Sequence, residues 1–267
     1  MVSKNDYTSF PREYEEFKKK FFELSGINLN SYKHQIHRRV HMLMKKWNID
    51  NYDELFRLIS TDKGKYMDFL NYLTINVSEF FRNPERFDTL EKEIIPMVMG
   101  PDRSIKAWSA GCATGEEPYS LAMVFEDLKI SKTPRILATD IDRDALEKAK
   151  KGIYEAKQLQ NVKPDRLRKY FLKKSDNLYE VSQVIKNRVN FKRHDLVLDP
   201  FDKDFDLILC RNVVIYLERE VKEKLYRKFR DALRIGGVLM VGNTEQIFGY
   251  RELGFRSIKP FFYQRVK

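Results

Sequence analysis

Apolar residues in the first part of the chain recur with the period of an α-helix. One stripe is formed by Phe10, Tyr14, Phe17, Phe21 and Leu24, and Gly26 follows it where a helix would end. A second stripe predicts a helix over residues 31–47 and is formed by Ile36, Val40, Leu43 and Trp47. Shorter helical patterns follow at residues 52–59 and 66–73. Because no strand pattern interrupts them, the sequence predicts a helical N-terminal domain over residues 1–75.

The pattern changes near residue 100, where short apolar runs begin to alternate with amphipathic stretches. The apolar runs predict buried strands and lie at residues 105–111, 135–140, 205–210 and 237–242. The amphipathic stretches predict helices and lie at residues 116–128, 141–152 and 218–233. Strands that alternate with helices of this length indicate a parallel sheet covered on both faces. The sequence therefore predicts an α/β domain over residues 101–267, which a linker helix within residues 76–100 joins to the first domain.

Two places depart from this alternation. LYEVSQVI (178–185) and RVNFKRHD (188–195) are strand-like, and only Lys186 and Asn187 separate them, which predicts an antiparallel hairpin. We expect this hairpin to form a small β-subdomain, inserted at about residues 172–195. FRSIK (255–259) and FFYQRVK (261–267) predict a second hairpin near the end of the chain.

Composition adds a basic surface to this picture. The 267 residues include 50 Lys and Arg against 39 Asp and Glu, a formal net charge of +11, which favours acidic partners. Two distant cysteines, Cys112 and Cys210, exclude a disulfide scaffold and do not suit a zinc site. The first residues lack the apolar core of a signal peptide, and no apolar run approaches the roughly 18 residues of a membrane span. We therefore expect a cytoplasmic protein without membrane insertion.

The first candidate site is the loop WSAGCATGEE (108–117) between a predicted strand and a predicted helix. Gly111 and Gly115 allow close approach of a ligand to the backbone, and Asp140, at the end of the next strand, can accept hydrogen bonds from ribose hydroxyls. A plain strand-to-helix turn is the alternative, and the spacing is not that of a dinucleotide site. Glu116 and Glu117 would repel pyrophosphate and attract a cation, which favours S-adenosylmethionine.

Two further candidates flank this loop in the predicted fold. Arg211 and Asn212 follow a predicted strand and so lie at the sheet edge where ligands bind. Cys210 closes that strand and is interpreted as a buried small hydrophobe; the pattern around Tyr216 also favours a core position. The other candidate is TINVSEFFRN (74–83), whose polar residues are Asn76, Ser78 and Arg82. A helix beginning at Ser78 explains them as well as a ligand site does.

Five motifs fall in order along the chain and together resemble those of the CheR family of chemotaxis receptor methyltransferases. They are NVSEFFRN, WSAGCATGEEPYSLAM, LATDIDRDALEKAKKGIY, FDLILCRNVVIYL and GNTEQIF. The resemblance runs from about residue 10 to the end. It implies a Rossmann-like S-adenosylmethionine-dependent methyltransferase domain, a small all-helical N-terminal domain and an inserted antiparallel β-subdomain. It also implies an enzyme that esterifies glutamate side chains on methyl-accepting chemotaxis receptors and leaves S-adenosylhomocysteine as its product.

The resemblance further implies a role for each matching residue. Arg82 and Tyr216 would be catalytic and would lie beside the transferred methyl group. The residues that would bind the cofactor are Asn76, Ser78, Arg82, Glu116, Glu117, Asp140, Asp195, Leu196, Arg211 and Asn212. Of the two adjacent glutamates, Glu117 is the expected contact; Asp140 would hold the ribose. Asp195 and Leu196 would contact the adenine, although many relatives have Asn at the Asp195 position.

The predicted helix at residues 31–47 carries a run of cations without an acidic residue. They are Lys33, Arg38, Arg39, Lys45 and Lys46. A solvated basic face is one interpretation. The resemblance implies another, in which this helix docks on the acidic helical bundle of a receptor. His37 and His41 have the spacing of metal ligands, but the surrounding cations oppose a metal, and no metal site is predicted.

Three other functions compete with receptor methylation. A nucleic-acid methyltransferase would suit the net charge, but the motifs of base methylation are missing and aromatic residues are not interleaved with the basic run. A non-catalytic module that only senses the cofactor is a second possibility, against which Arg82 and Tyr216 argue. A dinucleotide oxidoreductase fails on the glycine spacing. We expect a monomer that does not bind nucleic acid and whose partners are the receptors.

Overall fold

The structure is a computed structural model that describes residues 12–25, 27–32, 34–74 and 78–267. For six residues in these ranges only the backbone is described: His34, Gln35, Met67, Asn71, Thr74 and Tyr216. Phe10 and Gly26, which were placed at the two ends of the first predicted helix, lie outside the described residues. The chain divides into two compact units: the described residues up to 74 with residues 216–219, and residues 78–215 with residues 220–267.

The first unit is helical, as predicted. Its helices are α1 (Arg12–Ser25), α2 (His34–Lys46), α3 (Tyr52–Thr61) and α4 (Lys63–Thr74). Phe17 and Phe21 of α1 pack their rings against Phe69 of α4, with centroids 6.0 and 5.2 Å apart. Leu24 is an exception to the predicted stripe, because it lies at the end of α1 and is 42% exposed. The burial of the aromatic stripe confirms that helical periodicity identified this core.

A short segment of the later chain belongs to the same unit. Leu217 forms an isolated antiparallel bridge with Tyr32, and the Glu218 amide donates a hydrogen bond to the Ser31 carbonyl at 3.0 Å. Sequence patterns gave no indication of this pairing, since one bridge leaves no periodic signal.

The second unit is an α/β fold, as predicted. Its strands are β1 (Ala107–Ala110), β2 (Ile136–Asp140), β3 (Ile153–Glu155), β4 (Phe171–Lys173), β5 (Leu178–Val181), β6 (Val189–Arg193), β7 (Phe205–Cys210), β8 (Leu233–Val241), β9 (Phe255–Lys259) and β10 (Phe262–Arg265). Its main helices are α5 (Pro84–Thr89), continued by a π-helical segment (Leu90–Ile94) and α6 (Ile95–Val98), then α7 (Glu116–Asp127), α8 (Arg143–Lys151), α9 (Pro164–Tyr170), α10 (Gln183–Lys186) and α11 (Arg219–Ala232). The stretch from α5 to α6 lies within residues 76–100 and belongs to the second unit, and the linker role expected there stays a prediction.

Seven strands form the main sheet, in the order β6-β2-β1-β7-β8-β10-β9. The pairs from β6 to β8 are parallel, whereas β10 is antiparallel to both β8 and β9 and forms with β9 the predicted terminal hairpin. From β1 the chain proceeds outward to β2 and β6, and β7 then starts the other half of the sheet. The strand order therefore reverses between β1 and β7, which is where open α/β sheets bind their ligands.

A three-stranded antiparallel sheet, in the order β3-β5-β4, confirms the inserted β-subdomain. The predicted pairing of residues 178–185 with 188–195 is wrong. β6 instead runs parallel to β2, with Ile136 opposite Val189 and Asp140 opposite Arg193. The residues between β5 and β6 form α10, which buries Ile185 and leaves no tight turn. The small sheet thus begins earlier than residue 172 and ends before β6. The domain boundaries expected near residues 75 and 100 stay predictions.

The central strands of the main sheet are buried, and their packing fixes the positions of the strand ends. Every residue of β1 is buried, and the Trp108 indole donates a hydrogen bond to the Thr139 hydroxyl at 2.9 Å, which ties β1 to β2. Cys210 is fully buried at the end of β7, as predicted, and burial raises the pKa of its thiol. None of the helices that the structure describes is long and apolar enough to cross a membrane.

Candidate active site

The loop after β1 is closed down onto β2 by backbone contacts. Gly111 and Cys112 donate their amide hydrogens to the Thr139 carbonyl at 2.8 and 2.9 Å. Gly111 (φ +84°) and Gly115 (φ +96°) have left-handed backbones, and a Cβ on Gly115 would lie 2.8 Å from the Cβ of Ala149. Only glycine fits both positions without strain. The glycines thus allow the loop to pack closely here, while their predicted role in admitting a ligand stays a prediction.

Asp140 ends β2 and holds the tip of this loop. Its Oδ2 accepts the Ala113 amide hydrogen at 2.8 Å, and its Oδ1 accepts that of Asp142 at 2.9 Å. Burial raises the pKa of the carboxyl, and these two amides oppose the rise by stabilising the charged form. Each carboxylate oxygen can accept more than one hydrogen bond, so Asp140 keeps acceptor capacity for ligand hydroxyls.

The two adjacent glutamates at the start of α7 have different surroundings. Glu116 is 0% exposed; its carboxylate accepts the Thr114 hydroxyl at 2.8 Å and the Gln158 amide at 2.6 Å. The expectation that both carboxylates face the ligand is therefore corrected, because Glu116 turns inward and braces the loop. The sequence pattern alone could not show which of these two adjacent glutamates turns inward.

Glu117 faces the strand ends and pairs with Arg211. Its Oε1 accepts the Ser109 hydroxyl at 2.7 Å, and its Oε2 lies 3.4 Å from Nη1 of Arg211. Burial raises the pKa of Glu117, an effect that the charge of Arg211 opposes; burial likewise lowers the pKa of Arg211 against the attraction of Glu117. The site thus contains a carboxylate and a guanidinium, both largely desolvated.

Arg211 also fixes the segment that carries Arg82. Its Nη2 donates to the Arg82 carbonyl at 2.8 Å and to Oδ1 of Asn83 at 2.7 Å. The guanidinium lies over the Phe87 ring, 5.7 Å from its centroid. The buried Nε has no hydrogen-bond partner within the described part of the chain. Buried polar nitrogens are normally satisfied, so this atom fits a site that a polar ligand completes.

The segment from Ser78 to Asn83 is an irregular loop with defined anchors. Phe80 donates its amide hydrogen to the Gln158 carbonyl at 3.0 Å, and Phe81 donates to the Ser120 hydroxyl at 2.9 Å. Phe81 (φ +51°) and Asn83 (φ +60°) have left-handed backbones, which are uncommon outside glycine. No helix begins at Ser78, so the helix interpretation of this motif is wrong. Arg82 lies half-buried between these anchors, close enough to affect Glu117 and Arg211 electrostatically.

Asp195 and Leu196 follow β6, at the same edge of the sheet. Oδ1 of Asp195 accepts the amide hydrogens of Val197 and Leu198 at 2.8 and 3.2 Å. The ammonium of Lys228 donates to the Leu196 carbonyl at 2.9 Å. The turn that follows β6 is thereby fixed by its own carboxylate and by α11.

Glu245, in the motif GNTEQIF, is a buried residue that sequence reasoning passed over. Its Oε2 accepts the amide hydrogens of Asn212 (2.6 Å) and Gly242 (2.8 Å), and its Oε1 accepts that of Val214 at 2.9 Å. Burial raises its pKa, and these amides oppose the rise. The left-handed backbone of Asn212 (φ +59°) is held in this way. A glutamate four residues after the end of an apolar strand was the available signal.

Replacing Glu245 with glutamine is expected to destabilise the protein. The amide nitrogen of glutamine would face backbone donors, which leaves at least one buried amide unsatisfied at a cost of about 2 kcal/mol. Urea denaturation measures the free energy of unfolding. The exposed Glu252 supplies the matched control, since Glu252→Gln removes the same charge from the same region. A Glu245→Gln protein as stable as the wild type would contradict the bracing role.

Several predicted residues cannot be placed in the site. Asn76 and Lys33 lie outside the described residues, and the side chain of Tyr216 is not described. In α2, Arg38, Lys45 and Lys46 are exposed. Arg39 differs, because it donates two hydrogen bonds to the Tyr72 carbonyl and lies over that residue's ring. His37 contacts the Tyr52 hydroxyl at 2.9 Å.

Both units match families of known proteins. Residues 76–260 match the family described as "CheR methyltransferase, SAM binding domain", where SAM is S-adenosylmethionine. Residues 12–74 match the family described as "CheR methyltransferase, all-alpha domain". The two matches together extend over most of the chain.

Full-length relatives agree with these matches. The chain is 39% identical over 240 residues to the chemotaxis protein methyltransferase of Listeria innocua, an alignment that covers 89% of this chain and 91% of that protein. It is 30% identical over 245 residues to the chemotaxis protein methyltransferase of Escherichia coli, with coverage of 88% and 84%. Chemotaxis protein methyltransferase 1 of Pseudomonas aeruginosa is 30% identical over 248 residues, with coverage of 88% and 90%.

Proposed function

Because this chain belongs to the CheR methyltransferase family, we propose that it transfers the methyl group of S-adenosylmethionine to glutamate side chains of methyl-accepting chemotaxis receptors. Membership of the family itself makes the chain an S-adenosylmethionine-dependent methyltransferase of chemotaxis. The proposal adds the acceptor group, the chemical bond formed and the residues responsible. It also includes a cytoplasmic location, where the signalling parts of such receptors lie.

The observation that supports this proposal best is the pairing of Glu117 with Arg211 at the switch point of the sheet. The cofactor ends in an amino acid group, with an ammonium and a carboxylate on one carbon. A carboxylate beside a guanidinium, both desolvated, is complementary to those two charges. Glu117 would accept from the ammonium, while Arg211, through its unsatisfied Nε, and the adjacent Arg82 would hold the carboxylate.

The remaining cofactor contacts follow the order of the strands. Asp140, after β2, would accept the ribose hydroxyls, and Asp195 with Leu196, after β6, would contact the adenine. Ser78 and Asn212 would line the pocket near the amino acid end, together with Asn76. Glu116 supports the loop from inside. The site residues are proposals that mutation and binding measurements can test one by one.

The chemistry of the proposed reaction needs no general base. An ordinary glutamate has a pKa near 4.3, so the acceptor carboxylate is ionised at neutral pH. When bound, the cofactor supplies an electrophilic methyl group on a sulfonium. A new bond forms between a carboxylate oxygen and the methyl carbon as the carbon–sulfur bond breaks, and its electron pair stays on sulfur. The products are a glutamate methyl ester and S-adenosylhomocysteine.

The protein's contribution would be to orient the two reactants and to exclude water. Orientation of bound reactants contributes roughly 7–11 kcal/mol to such reactions. We assign this role to Arg82 and Tyr216, which would align the acceptor carboxylate with the carbon–sulfur bond. The contact with Arg82 must be loose, since a tight ion pair would stabilise the carboxylate and reduce its nucleophilicity.

Transfer of labelled methyl groups to a receptor cytoplasmic fragment tests the proposed reaction. After transfer, mild base should release the label as methanol, because methyl esters hydrolyse under conditions that methylated amines survive. Label that resists base would instead indicate methylation of an amine and would refute the proposal. Binding of S-adenosylhomocysteine without any transfer would favour a protein that only senses the cofactor.

The basic residues of α2 are proposed to dock the receptor. Arg38, Lys45 and Lys46 are exposed on this helix and can approach an acidic surface. Arg39 contributes less in our proposal, because its guanidinium already binds the Tyr72 carbonyl. Lys33 is retained as a candidate from the sequence alone.

Replacing Arg38, Lys45 and Lys46 together with alanine is expected to raise the KM for the receptor about tenfold, because each exposed ion pair contributes up to about 1 kcal/mol. The turnover number should stay near that of the wild type, and the effect should shrink as salt screens the charges. Replacing Lys148, Lys150 and Lys151 of α8 removes the same charge elsewhere and serves as the control. Equal effects of the two triple replacements would show that net charge, not α2, governs docking.

A further inference from the structure

A cleft of about 620 Å³ lies beside the candidate site and is not used by any of the contacts described above. It is lined by residues 246–250 and 257–261 and by Tyr263. The first segment follows β8, and the second comprises the end of β9 and the turn that leads to β10. The carboxyl ends of β8 and β9 lie at the same sheet edge as those of β1, β2 and β6. The cleft therefore occupies the half of that edge that the proposed cofactor contacts leave open.

The cleft adjoins the site through shared residues. Arg86 of α5, four residues after Arg82, donates a hydrogen bond to Oδ1 of Asn243 at 3.3 Å. Its guanidinium lies over the Phe261 ring, 4.7 Å from the ring centroid. Phe261 has a left-handed backbone (φ +72°), which is strained for a bulky residue, and its carbonyl accepts the Val241 amide hydrogen at 3.0 Å. The wall of the cleft is thus fixed to the segment that carries Arg82.

The surface of the cleft is aromatic, and both cations and carboxylates lie at its rim. Phe248 is 87% exposed and shares the lining with the part-exposed aromatic residues Tyr250 and Phe261, so the apolar surface is contiguous. Lys259 is the one charged residue in the lining, and its Nζ forms an ion pair with Oε2 of Glu93 at 2.7 Å. Two arginines, Arg86 and Arg251, lie at the rim beside Phe261 and Tyr250. None of the described lining residues is acidic, although the Glu252 carboxylate lies beside Gly249 and Glu93 pairs with Lys259. An exposed aromatic side chain beside cations suits a partner that offers small apolar side chains and carboxylates together.

We propose that this cleft binds the receptor helix on either side of the target glutamate. This inference rests on the proposed function and identifies where its acceptor docks. Adenine and ribose would occupy the half of the edge at β6, β2 and β1, so an acceptor must approach the methyl group from the half at β8. Side chains three or four positions apart lie on one face of a helix, about 5–6 Å apart. With the target glutamate at Arg82, residues one turn away would meet Phe248 and Phe261.

The test compares receptor methylation by the wild type with that by Phe248→Ala. The expected result is a KM for the receptor fragment raised about tenfold, as for an aromatic residue central to an interface, with the turnover number at saturating receptor unchanged. Affinity for S-adenosylhomocysteine should equal that of the wild type, since Phe248 contacts no proposed cofactor residue. Phe248→Trp, which keeps an aromatic ring, should restore most of the affinity.

Two further variants keep the proposal open to refutation. Ile235→Ala removes another exposed apolar side chain, 67% exposed near the start of β8 and away from the carboxyl edge, and should leave KM unchanged. Arg251→Glu should raise KM by repelling the acidic receptor. A KM within twofold of the wild type for both Phe248→Ala and Arg251→Glu would overturn the docking proposal but not the proposed function. A wild-type protein that transfers no base-labile methyl group would overturn the proposed function and this inference with it.

Discussion

Replacing Arg82 with alanine is expected to reduce methyl transfer about a hundredfold at saturating cofactor and receptor, because a misplaced reactant typically loses that much rate. Arg82 is half-buried beside the Glu117–Arg211 pair, and its carbonyl is held by Arg211. Removing its side chain leaves those backbone contacts in place. The loss should therefore appear in the turnover number more than in the binding of S-adenosylhomocysteine, as single-turnover kinetics and calorimetry can show.

Two variants make this result specific. Arg82→Lys keeps the positive charge but loses the planar pair of donors, so it should recover only part of the rate if orientation is the role of Arg82. Arg135→Ala removes an exposed arginine elsewhere in the same unit and should have no effect. Unchanged turnover by Arg82→Ala at saturating cofactor would refute the orienting role. A loss confined to cofactor affinity would make Arg82 a binding residue only.

The residues at the ends of the central strands could be predicted because local patterns determine them. A short apolar run followed by a glycine loop or a polar pair marks the carboxyl end of a buried strand. The structure accordingly brings Gly111, Asp140 and Arg211 to one edge of the sheet. The order of the strands is less local, because β1 lies beside β7 although β2 to β6 intervene in the chain.

The errors arose where tertiary contacts decide between equal local patterns. β6 alternates like one strand of a hairpin, but its partner is β2, which precedes it by about fifty residues in the chain. Glu116 and Glu117 are the same residue type in the same helical turn, yet Glu116 is held inward by Thr114 and by Gln158, which lies forty-two positions away. Glu245 shows the same limit, since its partners Asn212 and Val214 belong to another loop.

Asp140 carries the second large expected effect, a loss of cofactor affinity of about a hundredfold in Asp140→Ala. Two charge-assisted hydrogen bonds to ribose hydroxyls are worth about 3 kcal/mol together. The free energy of unfolding should also fall, because the amides of Ala113 and Asp142 lose the carboxylate that accepts them. Removing the buried charge, whose cost the raised pKa reflects, offsets part of this loss. Calorimetry with S-adenosylhomocysteine and urea denaturation measure the two quantities separately.

The pH dependence of binding separates Asp140 from Glu117. Burial raises the pKa of both carboxyls, so both take up protons at a higher pH than ordinary carboxyls do as the pH falls. A protonated carboxyl attracts the cofactor ammonium less, so wild-type affinity should be constant near neutral pH and fall as the solution is acidified. The Asp140→Ala protein should bind the cofactor more weakly at every pH, yet its affinity should still fall in acid because Glu117 is present. The control Asp202→Ala, which removes an exposed carboxylate, should bind as the wild type does. If the fall disappears with Asp140, protonation of Asp140 accounts for it, and Glu117 does not hold the ammonium.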